Sequence, residues 1–180
     1  VRVFAGFDYV EEDLYRSDFA RHGYANGVPM GGDLTAAAGG EAPSLLIAAL
    51  RDPDGANLDR IQVVKGWTND DGSAAEQVYD VSWSGDRQKD AKGKVPAVGN
   101  TVEIETASYS NSIGAPILSG YWKDPDFDPD QHAFYYVRVL EIPTPNWTTY
   151  DHVYLGVELS NKAVAFSQER AYTSPVWYTP

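Results

Sequence analysis

Apolar and polar residues alternate with period two through several stretches of the chain, as they do in strands with one face covered. In EQVYDVSW the large side chains Tyr79, Val81 and Trp83 fall on one face, with Asp80 and Ser82 on the other. TVEIET repeats the pattern, with Val102 and Ile104 turned inward and Glu103 and Glu105 outward. RIQVVKGW and ILSGYW read as further strands, bounded by Asp, Gly and Pro. HAFYYVRVLEI is apolar on both faces, which predicts a central strand covered on both sides. Helical spacing is confined to the start of the chain. Asp8 and Glu11 have the shape of a capping box, and Phe7, Val10 and Leu14 share a face. A helix is therefore expected over residues 10–21, ending before Gly23. The Leu-Leu-Ile stretch in residues 44–50, between Pro43 and Pro53, suits either a short helix or a buried strand.

Sixteen glycines and eleven prolines fall mostly between these stretches, the punctuation of an all-β chain. GDRQKDAKGKVPAVGN, residues 85–100, is polar and is expected as an exposed connection. The fold class predicted is mainly β: sandwich-like antiparallel sheets with one or two short helices near the N-terminus. The 180 residues suit one domain, with residues 1–60 a less regular flank and residues 61–180 the β-sandwich core. The opening VRVFAGFDYV has no Met and steps straight into apolar alternation, as expected of a processed or excised piece of a larger protein.

Charge narrows the function classes. A net charge of −12 disfavours nucleic acid, whose binding needs a basic patch, and docking on anionic lipid. No apolar run approaches the roughly 20 residues of a membrane span, so no membrane insertion is expected. The absence of cysteine excludes disulfides, thiolate metal sites and thiol catalysis.

Local motifs are sparse. GVPMGGDL looks like a phosphate loop but continues with Asp33, which repels an anion, and reads better as a tight turn. KDPDFDPDQH places Asp124, Asp126, Asp128 and Asp130 at alternating positions before His132, donors of the kind calcium takes. Pro129 and Tyr135 stand where an EF-hand has Gly and Glu, and two consecutive Asp-Pro turns are the simpler reading. RDPDGANLDR offers a weaker set in Asp52, Asp54, Asn57 and Asp59. His22, His132 and His152 lie far apart in sequence, and no G-x-S-x-G elbow exists. Five tryptophans and twelve tyrosines suit either a sugar-stacking surface or a sandwich core. Trp67, Trp83, Trp122 and Trp177 sit in or beside expected strands and are assigned to the core. Trp147, in the loop-like PTPNWTTYD, is the tryptophan expected at the surface and is a candidate for binding a ligand. Arg138 interrupts the apolar run of residues 134–142 and needs a partner from another element, or anchors a ligand.

GVPMGGDL, DPDGANLDRIQVVKGW, VYDVSWSGDR, FYYVRVLEIPTPNWTTYD and QERAYTSPVWYTP together resemble the C-terminal part of the domain-of-unknown-function 3604 family. The resemblance spans nearly the whole chain. It implies a larger bacterial protein, often exported, whose N-terminal part resembles metal-dependent phosphoesterases of the PHP type. The metal-binding histidines of that part lie in a GDLHxHT-like motif, which these 180 residues do not contain. Phe7 stands where the family pattern has Trp. The resemblance thus implies a non-catalytic C-terminal accessory domain of a periplasmic or secreted metal-dependent hydrolase. Its partner would be the N-terminal catalytic domain of the same polypeptide, where the divalent metal would reside. Two alternatives stand beside it: a glycan or small-molecule binding module using exposed aromatics, and an independent metal-dependent hydrolase.

Overall fold

The computed structural model describes residues 1–35, 39–69, 71–160 and 163–180. In chain order its first half holds β1 (Arg2–Gly6), α1 (Phe19–Asn26), β2 (Val28–Pro29), β3 (Asp33–Thr35), β4 (Ser44–Leu50), β5 (Leu58–Thr68) and β6 (Ala74–Trp83). The second half holds β7 (Ile117–Lys123), β8 (Ala133–Glu141), β9 (Thr144–Pro145), α2 (Trp147–Leu155), β10 (Phe166–Ser167), β11 (Arg170–Tyr172) and β12 (Val176–Thr179). A smaller sheet runs β2-β1-β4-β7 and a larger one β3-β12-β8-β5-β6, with β11 pairing β8 beside β12. Their facing sides share one apolar core, in which Val3, Leu45 and Ile47 meet Ile61, Val63, Tyr135 and Val137. The mainly β, sandwich-like expectation therefore holds. Residues 1–60, expected as a less regular flank, supply three of the four strands of the smaller sheet.

The smaller sheet is covered on its other side as well. Phe4 and Leu46 point away from the shared core and pack with Tyr9, Leu14 and Phe19 from the helical layer. Burial on both faces explains why the apolar run of residues 44–50 does not alternate: it is the central strand β4, not a helix.

That helical layer departs from the expected single helix. A 3-10 turn covers Glu11–Tyr15, and α1 starts afresh at Phe19 and runs through Gly23. Asp13, rather than Glu11, returns to the start of the first turn, accepting from the Val10 N–H at 3.0 Å. Its other oxygen faces His22 Nε2 at 3.0 Å, tying the two helical pieces together. Gly23 lies inside the helix rather than ending it, and a glycine is needed there because the Phe4 ring packs where any β-carbon would collide.

TVEIET is not a strand. Glu103 and Ser108 exchange backbone hydrogen bonds of 2.8 and 3.1 Å around a 3-10 turn at Ile104–Thr106, and Ala107 takes a left-handed φ of 47°. The segment closes on itself instead of joining a sheet, which leaves Ile104 42% exposed.

Irregularities in β5 and β6 decide which residues face the core. A register shift between Leu58 and Arg60 lets Leu58 and Ile61 both join it. A second shift opposite Ile61 and Gln62 turns Trp83 away from the face shared by Tyr79 and Val81, contrary to the clean alternation expected. The Trp83 indole instead donates to the Arg87 carbonyl at 2.7 Å, in the loop that follows.

One charged pair is sealed inside the sandwich. Lys65 of β5 meets Asp124, the residue after β7, at 2.7 Å, and Tyr135 of β8 donates to the same carboxylate oxygen at 2.7 Å. Removing one member of such a pair leaves an uncompensated buried charge. Lys65→Met is expected to destabilise the chain by about 3–5 kcal/mol in urea unfolding, and adding Asp124→Leu should recover part of that loss.

Candidate functional site

Three of the four sheet faces are covered by the core and the helical layer. The fourth, the outer face of the larger sheet, is covered among the described residues only in part, by the loop over residues 84–100. That loop docks through charge. Arg60 donates to the Val95 and Pro96 carbonyls at 2.6 Å each, and the Val95 N–H donates to Asp80 at 2.8 Å. Asp59 lies between Arg60, at 3.0 Å, and Arg87, at 2.7 Å. The connection expected to be exposed is therefore anchored at Arg87 and Val95, and Val95 is buried.

Next to this loop a polar row crosses four strands. Register aligns Tyr172 of β11 with Arg138 of β8, Arg138 with Gln62 of β5, and Gln62 with Asp80 of β6. Arg138 grips the Gln62 amide oxygen through Nε at 2.8 Å and Nη2 at 2.6 Å, and Gln62 Nε2 donates to Asp80 at 2.6 Å. The partner foreseen for Arg138 is thus a neutral amide that passes the contact on to a carboxylate. At the other end of the row, the neighbouring Arg170 guanidinium, and then that of Arg138, hold the Tyr172 hydroxyl below its ordinary pKa.

Aromatic rings cover the rest of the face. Phe134 lies across Gly66, where a β-carbon would run into the ring, so the glycine lets the ring settle onto the sheet. Tyr136 follows at 6.4 Å with its plane within 12° of Phe134, so the two rings lean the same way. Trp177 stands 5.4 Å from Phe134 on one side, and Tyr172 stands 6.2 Å from Tyr136 on the other. Trp177 is 49% exposed, not a core residue as expected. A cavity of about 490 Å³ opens at this end of the strip, lined by Gly66, Phe134, Trp177, Thr179, Glu76 and His132. HAFYYVRVLEI is thus central, but only its Tyr135 and Val137 side is sealed, and the other presents this strip.

The other sequence candidates lie elsewhere. Asp124 is committed to Lys65 and Tyr135, Asp126 accepts from the Tyr79 hydroxyl at 2.7 Å, and Asp128 closes a turn onto the Asp130 N–H at 3.0 Å. Asp52 closes a turn onto Asp54, Asn57 binds Asn111, and Asp59 holds the arginines. Among the described residues, no group of three or more histidine and carboxylate side chains is placed to hold a metal ion. His22, His132 and His152 sit on α1, before β8 and on α2. Gly31 of GVPMGGDL has a φ of 86°, and its N–H is taken by the Pro175 carbonyl, consistent with a turn.

Trp147 is 70% exposed, as expected, but it opens helix α2 rather than lying in a loop. That helix is turned inside out. Thr149 is its buried residue, while Trp147, Tyr150, Tyr154 and Leu155 line one outward stripe at helical spacing. Tyr150 and Tyr154 stack with planes within 6°.

The family model described as "Protein of unknown function (DUF3604)" matches residues 1–180. No curated protein and no solved structure gives a significant match. Among the described residues, no helix is long and apolar enough to cross a membrane.

The fold holds several phenols protonated, most strongly Tyr9, Tyr79 and Tyr135. Burial pushes the Tyr9 hydroxyl up to about 12, with help from Asp13. Burial also raises Tyr79, together with its bond to Asp126, and raises Tyr135 beside the Asp124 charge. Unfolded tyrosine ionises near pH 10, so the unfolded chain loses these protons first. Stability from the three groups is expected to be intact below pH 10 and to fall from pH 10 towards 12. Urea midpoints measured between pH 8 and 11 should show that decline, and Tyr9→Phe should make it shallower.

Proposed function

This chain belongs to the DUF3604 family across residues 1–180, and we propose that within that family it is a non-catalytic accessory domain of a larger, exported bacterial metal-dependent hydrolase. The observation that carries this reading is the outward stripe of α2. A helix normally turns its large apolar side chains inward, and one that presents Trp147, Tyr154 and Leu155 to water has the surface of an interface awaiting its other half. The well-buried charges give the same picture of a scaffold: Lys65, Arg60, Asp59, Asp80 and Asp124 all face opposite charges within the fold. Metal and hydrolysis would belong to the part of the polypeptide that precedes Val1, and α2 would pack against it.

Amide exchange on the complete family polypeptide and on this chain alone tests the reading. Residues 147–155 should be strongly protected in the complete polypeptide and open in the isolated chain. Equal exchange in the two would overturn the docking role. Hydrolysis of a generic phosphate ester by the isolated chain with manganese or zinc would overturn the non-catalytic one.

A second reading, recognition of a glycan or small molecule, is favoured by a different surface. The aromatic strip and cavity on the outer sheet face offer the stacking platform and concave mouth that such ligands use.

A further inference from the structure

We propose that the outer face of the larger sheet binds an acidic oligosaccharide, with a carboxylate held by Arg138 and Arg170 and the sugar rings lying on Tyr136, Phe134 and Trp177. The inference rests on the ligand-binding reading above and supplies the class of ligand.

The argument begins with charge. The chain carries 26 acidic residues against 14 basic ones, so a cation has no shortage of carboxylates to meet. Arg60, Arg87 and Lys65 each meet an aspartate. Arg138 does not: both nitrogens it uses within the sheet go to the neutral oxygen of Gln62. Arg170 pairs with Leu140 in the strand register, two residues from Tyr172, so it stands on the same outer face. Among the described residues, neither Arg138 nor Arg170 forms an ion pair with a carboxylate within 4.0 Å. Strand register sets Arg138 opposite Tyr172 and Arg170 two residues along the same outer face, so both cations flank one edge of the strip, and their charge lowers the pKa of the Tyr172 hydroxyl between them. The Gln62 bond fixes the orientation of Arg138 before any ligand arrives, which reduces the ordering cost of binding.

Shape supplies the rest. From Phe134 to Arg138 the strand advances roughly 13 Å, and the cavity beside Trp177 extends the surface beyond Phe134. Pyranose rings present flat C–H faces that stack on aromatic rings, and an open strip accepts several in a row. A single-stranded nucleic acid also stacks on aromatics, but a chain of phosphates is repelled by a protein of net charge −12. A ligand with few, spaced carboxylates fits both the paired arginines and the acidic remainder.

Calorimetry and tryptophan quenching with uronic-acid trimers (galacturonate and mannuronate), their methyl esters and a neutral hexose trimer test this on the whole chain. At least one acid trimer should bind ten-fold or more tightly than its ester, a difference of about 1.4 kcal/mol. Arg170→Gln should abolish that preference, and Trp177→Ala should weaken acid and ester alike. Arg138→Gln should act as Arg170→Gln does; if it disturbs folding, the exposed Arg170 carries the test alone. Equal binding of acid, ester and neutral trimer would overturn the acidic preference and leave glycan binding standing. Binding of none would overturn both. A response that vanishes with Trp147→Ser but survives Trp177→Ala would place any sugar on α2 and overturn the proposed site.

Discussion

An ammonium group between two apolar sheets has to be met by a negative charge, and the way Lys65 meets Asp124 organises the sandwich. Lys65 lies on β5 of the larger sheet, Asp124 follows β7 of the smaller one, and Tyr135 reaches the same carboxylate from β8. Lys65 also donates to the Asp126 carbonyl at 2.7 Å, so the Asp-Pro loop is drawn across the end of the core. Such a pair contributes little net stability against an apolar replacement, because desolvation offsets the Coulomb attraction. Its effect is on alternatives: any register that separates the partners leaves a bare charge in the interior.

The same constraint operates on the other side of β5. Arg60 and Gln62 are further polar residues of β5, and both are buried. Two register shifts put them on the outer face, where Asp59, Asp80 and the carbonyls of residues 95 and 96 receive them. The loop over residues 84–100 is therefore held down by the polar interruptions of β5. It covers the β6 side of the face and stops short of β8. What remains open is the strip of rings along β8, with Arg138 at its end.

The two unsatisfied surfaces differ in kind, and so do the roles they suit. The stripe on α2 is convex and helical, and its rings stand free, as at an interface between folded units. The sheet face is set into the scaffold, with Phe134 seated on Gly66 and Arg138 fixed by Gln62. Rigid placement of this sort suits recognition of a small, patterned ligand. Docking and recognition can therefore coexist on one domain without competing for residues.

Sequence by itself determined the class of the fold and most of its strands, because period-two alternation and Gly/Pro punctuation follow directly from a half-buried pleated sheet. RIQVVKGW, ILSGYW and the central position of HAFYYVRVLEI were legible on those grounds. So were the exposure of Trp147 and the need of Arg138 for a distant partner. Tertiary structure alone decided where alternation fails. TVEIET has the right period but closes on itself through the Glu103–Ser108 bridge, and Trp83 changes face because a bulge shifts the register. Trp177 is apolar in a strand and still half exposed, because among the described residues the loop over this face reaches only its β6 side. The candidate site was hidden for the same reason. Tyr172, Arg138, Gln62 and Asp80 are dispersed along the sequence and become neighbours only through strand pairing across four strands, a register that no local pattern encodes.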